Sequence, residues 1–361
     1  MKAKRWIALL TAVMMSLMIA GCSAEPAANT EPSAEQPSPT ATPKTGIEAV
    51  FDKPVNLAIV SNADDAASAM FFEAATKEAE SMGVTVTSAA LGSGFNAGLA
   101  EATASADAVV AFLPEALSDY AALEALQKPV AVYETTKSNV PAAMAHLSYE
   151  ADTQLSMALD AALNYPPHEA PVRLILLFES ADSPAYAAYQ QLYTEGKVFP
   201  KEVYVATADQ IGAGEWITAK MEGYVAGMLD AVFAENEALA LSAYDALAAL
   251  NRNDMEVFCP GVNADIVSRM QSNPDVFAQA IGRNDVLAGV LSVRAALQML
   301  HGGEAVTQAF APAVINAADL GEDAISALAA MDSEKAALYN ADWMDTLRSF
   351  YSTAADAADS K

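Results

Sequence analysis

The sequence of 361 residues is poor in cysteine, histidine and base. It has two cysteines, Cys22 and Cys259, too few for a disulfide framework. Its three histidines, His146, His168 and His301, are scattered. No HExxH, CxxC or paired-histidine spacing occurs, which argues against a structural zinc site, zincin chemistry or any other metal centre. Nineteen bases stand against 46 acids, for a formal charge of −27. Nucleic acid is therefore an unsuitable partner, because phosphate binding requires clustered Lys and Arg, and a basic patch for anionic lipid is missing for the same reason. There is no GxSxG elbow. The stretch GSGFNAG (92–98) lacks both the GxGxxG spacing and a following Lys-Ser/Thr, and reads as a loop entering a helix. Cys259 ends an apolar strand before Pro260, the setting of a buried inert thiol. The many carboxylates read as a solvated acidic face. No enzyme activity and no cofactor are expected.

Hydrophobic residues make up 53% of the chain, enough for a large core. At roughly 150 residues per domain the length predicts about two domains. Lys2, Lys4 and Arg5 precede an apolar run, 6–20, of 15 residues. That is short of the roughly 20 needed to span a bilayer and suits a signal-peptide core. The run ends in Ile19-Ala20-Gly21-Cys22, which resembles a bacterial lipobox. Residues 1–21 are thus expected to be a signal peptide, with Cys22 the site of lipid attachment. Residues 23–46 are rich in Pro, Ser, Thr, Ala and Glu without an aromatic. They read as a disordered tether, since they cannot bury enough apolar area to offset their ordering entropy. No later run reaches about 18 uncharged apolar residues. The expected location is extracytoplasmic, with the cell membrane reached through the lipid anchor alone.

From residue 55 onward short apolar runs alternate with helical spacing. Strands are predicted at 55–61, 84–90, 106–113 and 129–134, with helices at 66–82, 95–104 and 118–127. A second set of strands lies at 172–178, 202–207, 230–235, 255–259, 276–281 and 313–317. Its helices fall at 184–195, 215–229, 237–250, 263–271 and 285–301. Strands apolar on both faces and separated by helices predict parallel sheets covered on both sides. The fold class is α/β, with two doubly wound parallel-sheet lobes. Ligands of such sheets sit beyond the carboxyl ends of the strands, and between two lobes the natural site is the cleft. Residues 320–361 are predicted helical, with Trp343, Met344, Leu347, Phe350 and Tyr351 as an apolar face, either packing on the body or binding a partner.

The segments AVFAENEALALSAYDALAAL (231–250), MEVFCPGVNADIVSRM (255–270) and VFAQAIGRNDVLAGVLSVRAALQMLHGGE (276–304) resemble type I periplasmic binding proteins of the ribose/galactose group. So do NLAIVS and AMFFEAATKEAESMGVTV near the start. The resemblance covers about residues 54–318. It implies two lobes joined by three crossovers, near 146–149, 281–284 and 309–312. The first lobe would comprise 47–147 plus 284–310 and the second 148–283 plus 311–330, followed by a helical tail at 331–361. It further implies a monomer that captures a small polar ligand, sugar or sugar-like, and delivers it to the membrane subunits of an ABC import permease. The alternative is the same fold with a drifted cleft, serving as a ligand sensor or partner-binding lipoprotein.

The resemblance also nominates site residues. Phe71 and Phe72 stand where family aromatics stack on the sugar ring, and either keep that role or, for one of them, belong to the core. Glu134-Thr135 occupies the place of an Asp-Arg pair, keeping an acceptor and losing the bidentate guanidinium. The helix after the strongest strand has no Arg, and Tyr189 falls nearest that position, with Tyr186 one turn before. Asn236-Glu237 matches an Asn-Asp pair. Gly261 lies where an Asp would sit. Arg283 stands at a crossover where a Gln is frequent, as a ligand clamp or an interlobe ion pair. Trp216 is expected to pack.

Overall fold

The computed structural model describes residues 54–63, 66–115, 117–135, 139–150, 153–165, 172–208 and 211–332, with 342, 344, 345 and 347–349 near the C-terminus. The expected signal peptide, Cys22, the tether, His168, Trp343, Phe350 and Tyr351 lie outside the described residues.

The first lobe is built on a six-stranded parallel sheet. Its strands are β1 (Asn56–Ser61), β2 (Thr85–Ala90), β3 (Ala108–Leu113), β4 (Val130–Glu134), β5 (Ala145–Tyr149) and β11 (Thr307–Phe310), in the order β11-β5-β4-β3-β1-β2. Alternate residues of each strand meet opposite layers. Leu57, Ile59, Val110 and Phe112 join a cluster with helices α1 (Ala66–Ser81) and α9 (Asp285–Leu300). Ala58, Val60, Val109 and Ala111 join another with α2 (Phe95–Ala102) and α3 (Ala121–Glu124). With both faces covered, a strand must be apolar on both, as sequences such as AVVAFL are.

The second lobe has a four-stranded parallel sheet, β7-β6-β8-β9, from β6 (Leu174–Phe178), β7 (Glu202–Val205), β8 (Ala231–Ala234) and β9 (Glu256–Phe258). Its helices are α4 (Gln154–Leu163), α5 (Pro184–Thr194), α6 (Ala213–Met221), α7 (Glu237–Ala249) and α8 (Ala264–Ser272). An antiparallel pair, β10 (Gln279–Gly282) and β12 (Ala313–Asn316), continues this lobe. A bridge between Pro260 and Ile281 links β10 to the end of β9. The short helices α10 (Ala317–Leu320) and α11 (Ala324–Ala330) follow. The chain passes between the sheets three times, over 149–154, 282–285 and 310–313. Met70 and Ala74 of α1, with Val286 and Val290 of α9, share a cluster with Ile266 of α8 and Leu328 of α11.

Several elements depart from the expectation. Strands β5 and β11 and helix α4 were not anticipated. Sequence AHLSY alternates buried and half-buried residues, and the edge strand TQAF is half polar with only Phe310 buried, so neither presents a long apolar run. Helix α6 stops at Met221 rather than near 229, and Gly227 in the turn beyond it has φ +79°, a conformation suited to glycine. Helix α3 is one turn long. In the C-terminal region Met344 and Leu347 are buried in the first-lobe core, and Arg348 and Arg294 both pair with Glu78.

Phe71 lies in that core with no exposed surface. Its ring stacks on Phe112, with centroids 4.7 Å apart, and lies 5.7 Å from Tyr133. Phe71→Ala is expected to lower the unfolding free energy by about 3–5 kcal/mol in a denaturant titration; a loss under about 1 kcal/mol contradicts the core assignment.

Glu256 opens β9 and is 3% exposed. Burial pushes its carboxyl from an ordinary 4.5 up to about 7. The folded state then binds the proton more tightly than the unfolded chain. This group's contribution to stability is therefore full below pH 4.5 and lost as the pH rises to about 7. Glu256→Gln is expected to remove a decline of about 3 kcal/mol across that window, read as the difference between variant and wild-type stability curves. Parallel curves contradict the assignment.

Candidate functional site

The carboxyl ends of the strands gather the polar chemistry. In the second lobe Glu179 follows β6, Glu235 and Asn236 follow β8, and Pro260 lies just beyond β9. Helices α5 and α7 begin there. Ser183 caps α5 by accepting from the Tyr186 N–H at 3.1 Å, and Asn236 caps α7 by accepting from the Leu239 N–H at 3.0 Å. Such caps satisfy the first-turn donors and fix the loops that carry the acids. The Glu235 carboxylate accepts from the Glu179 N–H (2.8 Å) and the Ser183 hydroxyl (2.6 Å). The Asn236 amide donates to Glu179 Oε2 at 3.0 Å. Together with Gln154, Leu155, Pro184, Ala185 and Glu237 these residues line a cavity of about 380 Å³.

Glu237 owes its position to a glycine. Gly261 has φ +116°, and a Cβ built on it would land on the Glu237 carboxyl group. The acid missing at 261 thus leaves the space that the carboxylate at 237 fills. A tight approach lies behind it: the Gly261 N–H donates to the Ile281 carbonyl at 2.8 Å.

In the first lobe Asn62, at the end of β1, donates to the Glu115 carbonyl at 2.6 Å. The Thr135 hydroxyl donates to the Pro114 carbonyl at 2.8 Å. Glu134 is buried. One of its oxygens accepts from the Tyr120 hydroxyl at 2.7 Å, and the other meets His146 Nε2 at 2.7 Å.

At the middle crossover the Tyr133 hydroxyl donates to Asp285 Oδ1 at 2.9 Å, and Arg283 Nη2 lies 3.2 Å from Asp285 Oδ2. Burial works against the Arg283 charge, but Asp285, Tyr133, Glu237 and Tyr149 outweigh it and hold its pKa above the ordinary value. Tyr149, at the end of β5, donates to Gln154 Oε1 at 2.8 Å. Its phenol is pushed up by burial, opposed by Arg283 and reinforced by Asp285 and Glu237. Arg283 thus stands where groups from the ends of both sheets converge.

The nominated residues divide into two groups. Asn236, Glu237 and Arg283 lie where the sheet ends meet, with Thr135 and Glu134 at the end of β4. Phe71 and Tyr189 are core residues. Tyr189 stacks on Phe178 at 5.5 Å inside the second lobe. Phe72 is half-buried, edge-on to Phe71. Trp216 packs against Tyr204 at 5.4 Å. Asn62, Glu115, Gln154, Tyr149, Glu179 and Glu235 were missed, although the strand-end rule applied to residues just after each strand points to most of them. Among the described residues no group of His, Cys, Asp and Glu could hold a metal ion, and no helix is long and apolar enough to cross a membrane. Cys259 is buried, and its thiol is pushed up by that burial.

Arg283→Met removes the guanidinium from the buried Asp285 carboxylate. It is expected to cost about 3–5 kcal/mol of stability, measured by chemical unfolding without ligand. A cost near zero means that the guanidinium is not held for this ion pair.

No protein-family model and no curated protein matches the chain. Solved structures do. A sugar ABC transporter protein from Yersinia enterocolitica subsp. enterocolitica 8081 superposes with a TM-score of 0.58 at 16% identity, over 86% of this chain and 99% of that one. A carbohydrate transporter solute-binding protein from Agrobacterium radiobacter in complex with D-arabinose gives 0.52 at 15%, over 76% and 98%. A complex of the TorS sensor domain with TorT, in the absence of ligand, gives 0.55 at 16%, over 76% and 97%. With two covered parallel sheets, three crossovers and this similarity, the chain has the fold of the type I periplasmic binding proteins.

Proposed function

We propose that the chain is an extracytoplasmic solute-binding lipoprotein. It binds a small polar ligand, sugar or sugar-like, where the carboxyl ends of the two sheets meet. The observation that carries this reading is the convergence of Tyr149 from the first sheet, Glu237 from the second and Arg283 from the crossover between them. Glu179, Glu235 and Glu237 make the second-lobe wall rich in acceptors, which suits a ligand that presents several hydroxyl donors. Asn236, Glu237, Arg283 and Thr135 are the residues proposed to face it, with Phe72 at the margin. The Agrobacterium neighbour in complex with D-arabinose supports a carbohydrate. Lipid attachment at Cys22, delivery to an ABC permease and action as a monomer complete the reading. The reading assigns these groups to binding.

The sensor reading is favoured by one observation. On the first-lobe side, Glu134 is engaged by Tyr120 and His146 and Phe71 is enclosed in core, so expected sugar contacts are turned to internal use. The similarity to the TorS–TorT complex is compatible with it.

The test is a thermal-shift screen of sugars, polyols, nucleosides and amino acids, beside mass spectrometry of whatever co-purifies. A true ligand at about 100 times its Kd should add about 2.7 kcal/mol of stability, and no shift across the screen transfers the case to the sensor reading. With the ligand in hand, Glu237→Ala is expected to weaken binding by about tenfold or more, the worth of hydrogen bonds to a charged group, with folding intact. Unchanged affinity removes Glu237 from the site.

A further inference from the structure

The second lobe has another polar cavity, at the opposite end of its sheet from the cleft. It lies between the C-terminal end of α4, the start of β9, the start of β10 and the end of β12. It measures about 460 Å³ and is lined by Ala161, Asn164, Tyr165, Glu256, Phe258, Ala278, Gln279 and Asn316. Glu256 is 97% buried, and among the described residues its carboxylate makes no hydrogen bond or ion pair. A carboxylate in that position at a strand start, facing a cavity, lacks the partner that burial ordinarily demands.

The lining shows what kind of partner would fit. Asn164 donates its amide to the Asp160 carbonyl at 2.8 Å. Gln279 donates to Asn316 Oδ1 at 3.1 Å, and Asn316 donates to Asp319 Oδ2 at 2.9 Å. Each of these amides thus commits one of its two N–H donors within the protein, while the lining also carries the side-chain carbonyls of Asn164 and Gln279 and the acceptor-only carboxylate of Glu256. The charges nearby have the same sign. Asp230 and Asp275 both act on the Tyr165 phenol, alongside Glu256. The base Arg173 is fixed on Asp230 by its backbone N–H and its Nε, at 2.7 and 2.9 Å, and by Nη2. The Tyr165 ring, edge-on to Phe258 at 5.5 Å, and Ala161 and Ala278 form an apolar wall. Acceptors beside aromatic and aliphatic carbon are the complement of an alkylammonium, whose N–H groups need acceptors and whose chain needs cover.

We propose that this cavity is a second ligand site, separate from the cleft, that takes a small primary ammonium compound with Glu256 as its counter-ion. The site needs no metal and is independent of what the cleft binds. The raised pKa of Glu256 fits a carboxyl held without a partner, and a bound cation would lower it.

The test titrates n-butylammonium chloride into the full chain above pH 7, by ligand-observed NMR and calorimetry. Tetramethylammonium chloride, which has no N–H donor, and sodium chloride at matched ionic strength serve as controls. Saturable binding of butylammonium alone is expected. It should weaken by about tenfold or more in Glu256→Gln and as the pH falls below 7, and should persist in Glu237→Gln. Glu256→Gln keeps the side-chain shape and is expected to melt no lower than wild type above pH 7. The exposed Asn164→Ala, which does not burden the core, should weaken binding several-fold. Equal affinity in wild type, Glu256→Gln and Asn164→Ala overturns the proposal. So do no saturable binding, an equal response to tetramethylammonium, or loss in Glu237→Gln instead, which would place the cation in the cleft. Because Glu237→Gln separates the two sites, failure here leaves the cleft reading standing, and the reverse also holds.

Discussion

Parallel strands covered by helices on both faces can show polar chemistry only at their ends. That constraint organises this chain. Inside β1, β3, β6 and β8 almost every side chain is apolar and enclosed, so none of the 46 acids can lie along their length without a large desolvation cost. The acids collect just beyond the strands instead: Glu134 at the end of β4, Glu179 after β6, Glu235 and Glu237 after β8. The crossovers then decide which ends meet. The middle one carries Arg283 beside Asp285 and Tyr133, which puts a fixed cation at a place otherwise dominated by carboxylates. The charge of Arg283 is sustained by those neighbours from both lobes against its own burial.

The second-lobe wall shows how one absent side chain makes room for another residue's carboxylate. Removing the side chain at 261 deletes one acceptor, and the vacated volume admits the carboxylate of Glu237. The acceptor is supplied from a helix start rather than from a strand end. In the first lobe the change runs the other way. Glu134 remains an acid, but Tyr120 and His146 bond both its oxygens, making it part of the scaffold beneath the site. Phe71 similarly completes an aromatic stack with Phe112 and Tyr133. In the first lobe these side chains serve packing, and in the second the glycine at 261 leaves room for the Glu237 carboxylate.

The alternation of apolar strands and helical spacing was legible because burial on both faces leaves runs such as LILLF and AVVAFL. Lobe count and most helix limits followed from it, whereas the order of strands in each sheet and the antiparallel β10–β12 pair came from the structure. Strands β5 and β11 were not legible, since over only five and four positions AHLSY mixes polar with apolar residues and TQAF is mostly solvent-facing. For the candidate site, residue identity nominated Asn236, Glu237 and Arg283, which the fold places near the carboxyl ends of the strands. Exposure was not in the sequence: nothing in Ala-Met-Phe-Phe tells which ring faces the core, and Tyr189 and Tyr186 differ only by a helical turn. Pairing over distance was equally hidden. Glu134 and His146 are 12 positions apart and meet only because β4 and β5 are neighbours in register.

Two acids at one end of the second sheet make a final comparison. Asp230 and Glu256 stand at the same end of neighbouring strands, and the Glu256 N–H donates to the Asp230 carbonyl at 3.1 Å. Both acids are nearly enclosed. Asp230 is neutralised by Arg173 through side chain and backbone together, the arrangement of an acid that serves stability. Glu256 has an alkyl and amide surround and a cavity in front of it. If Glu256 were there for the fold alone, an apolar residue of similar volume would avoid its desolvation cost and fill the space. An acid kept at that cost, one strand away from an acid that is fully paired, is explained by something that enters the cavity and supplies the missing charge.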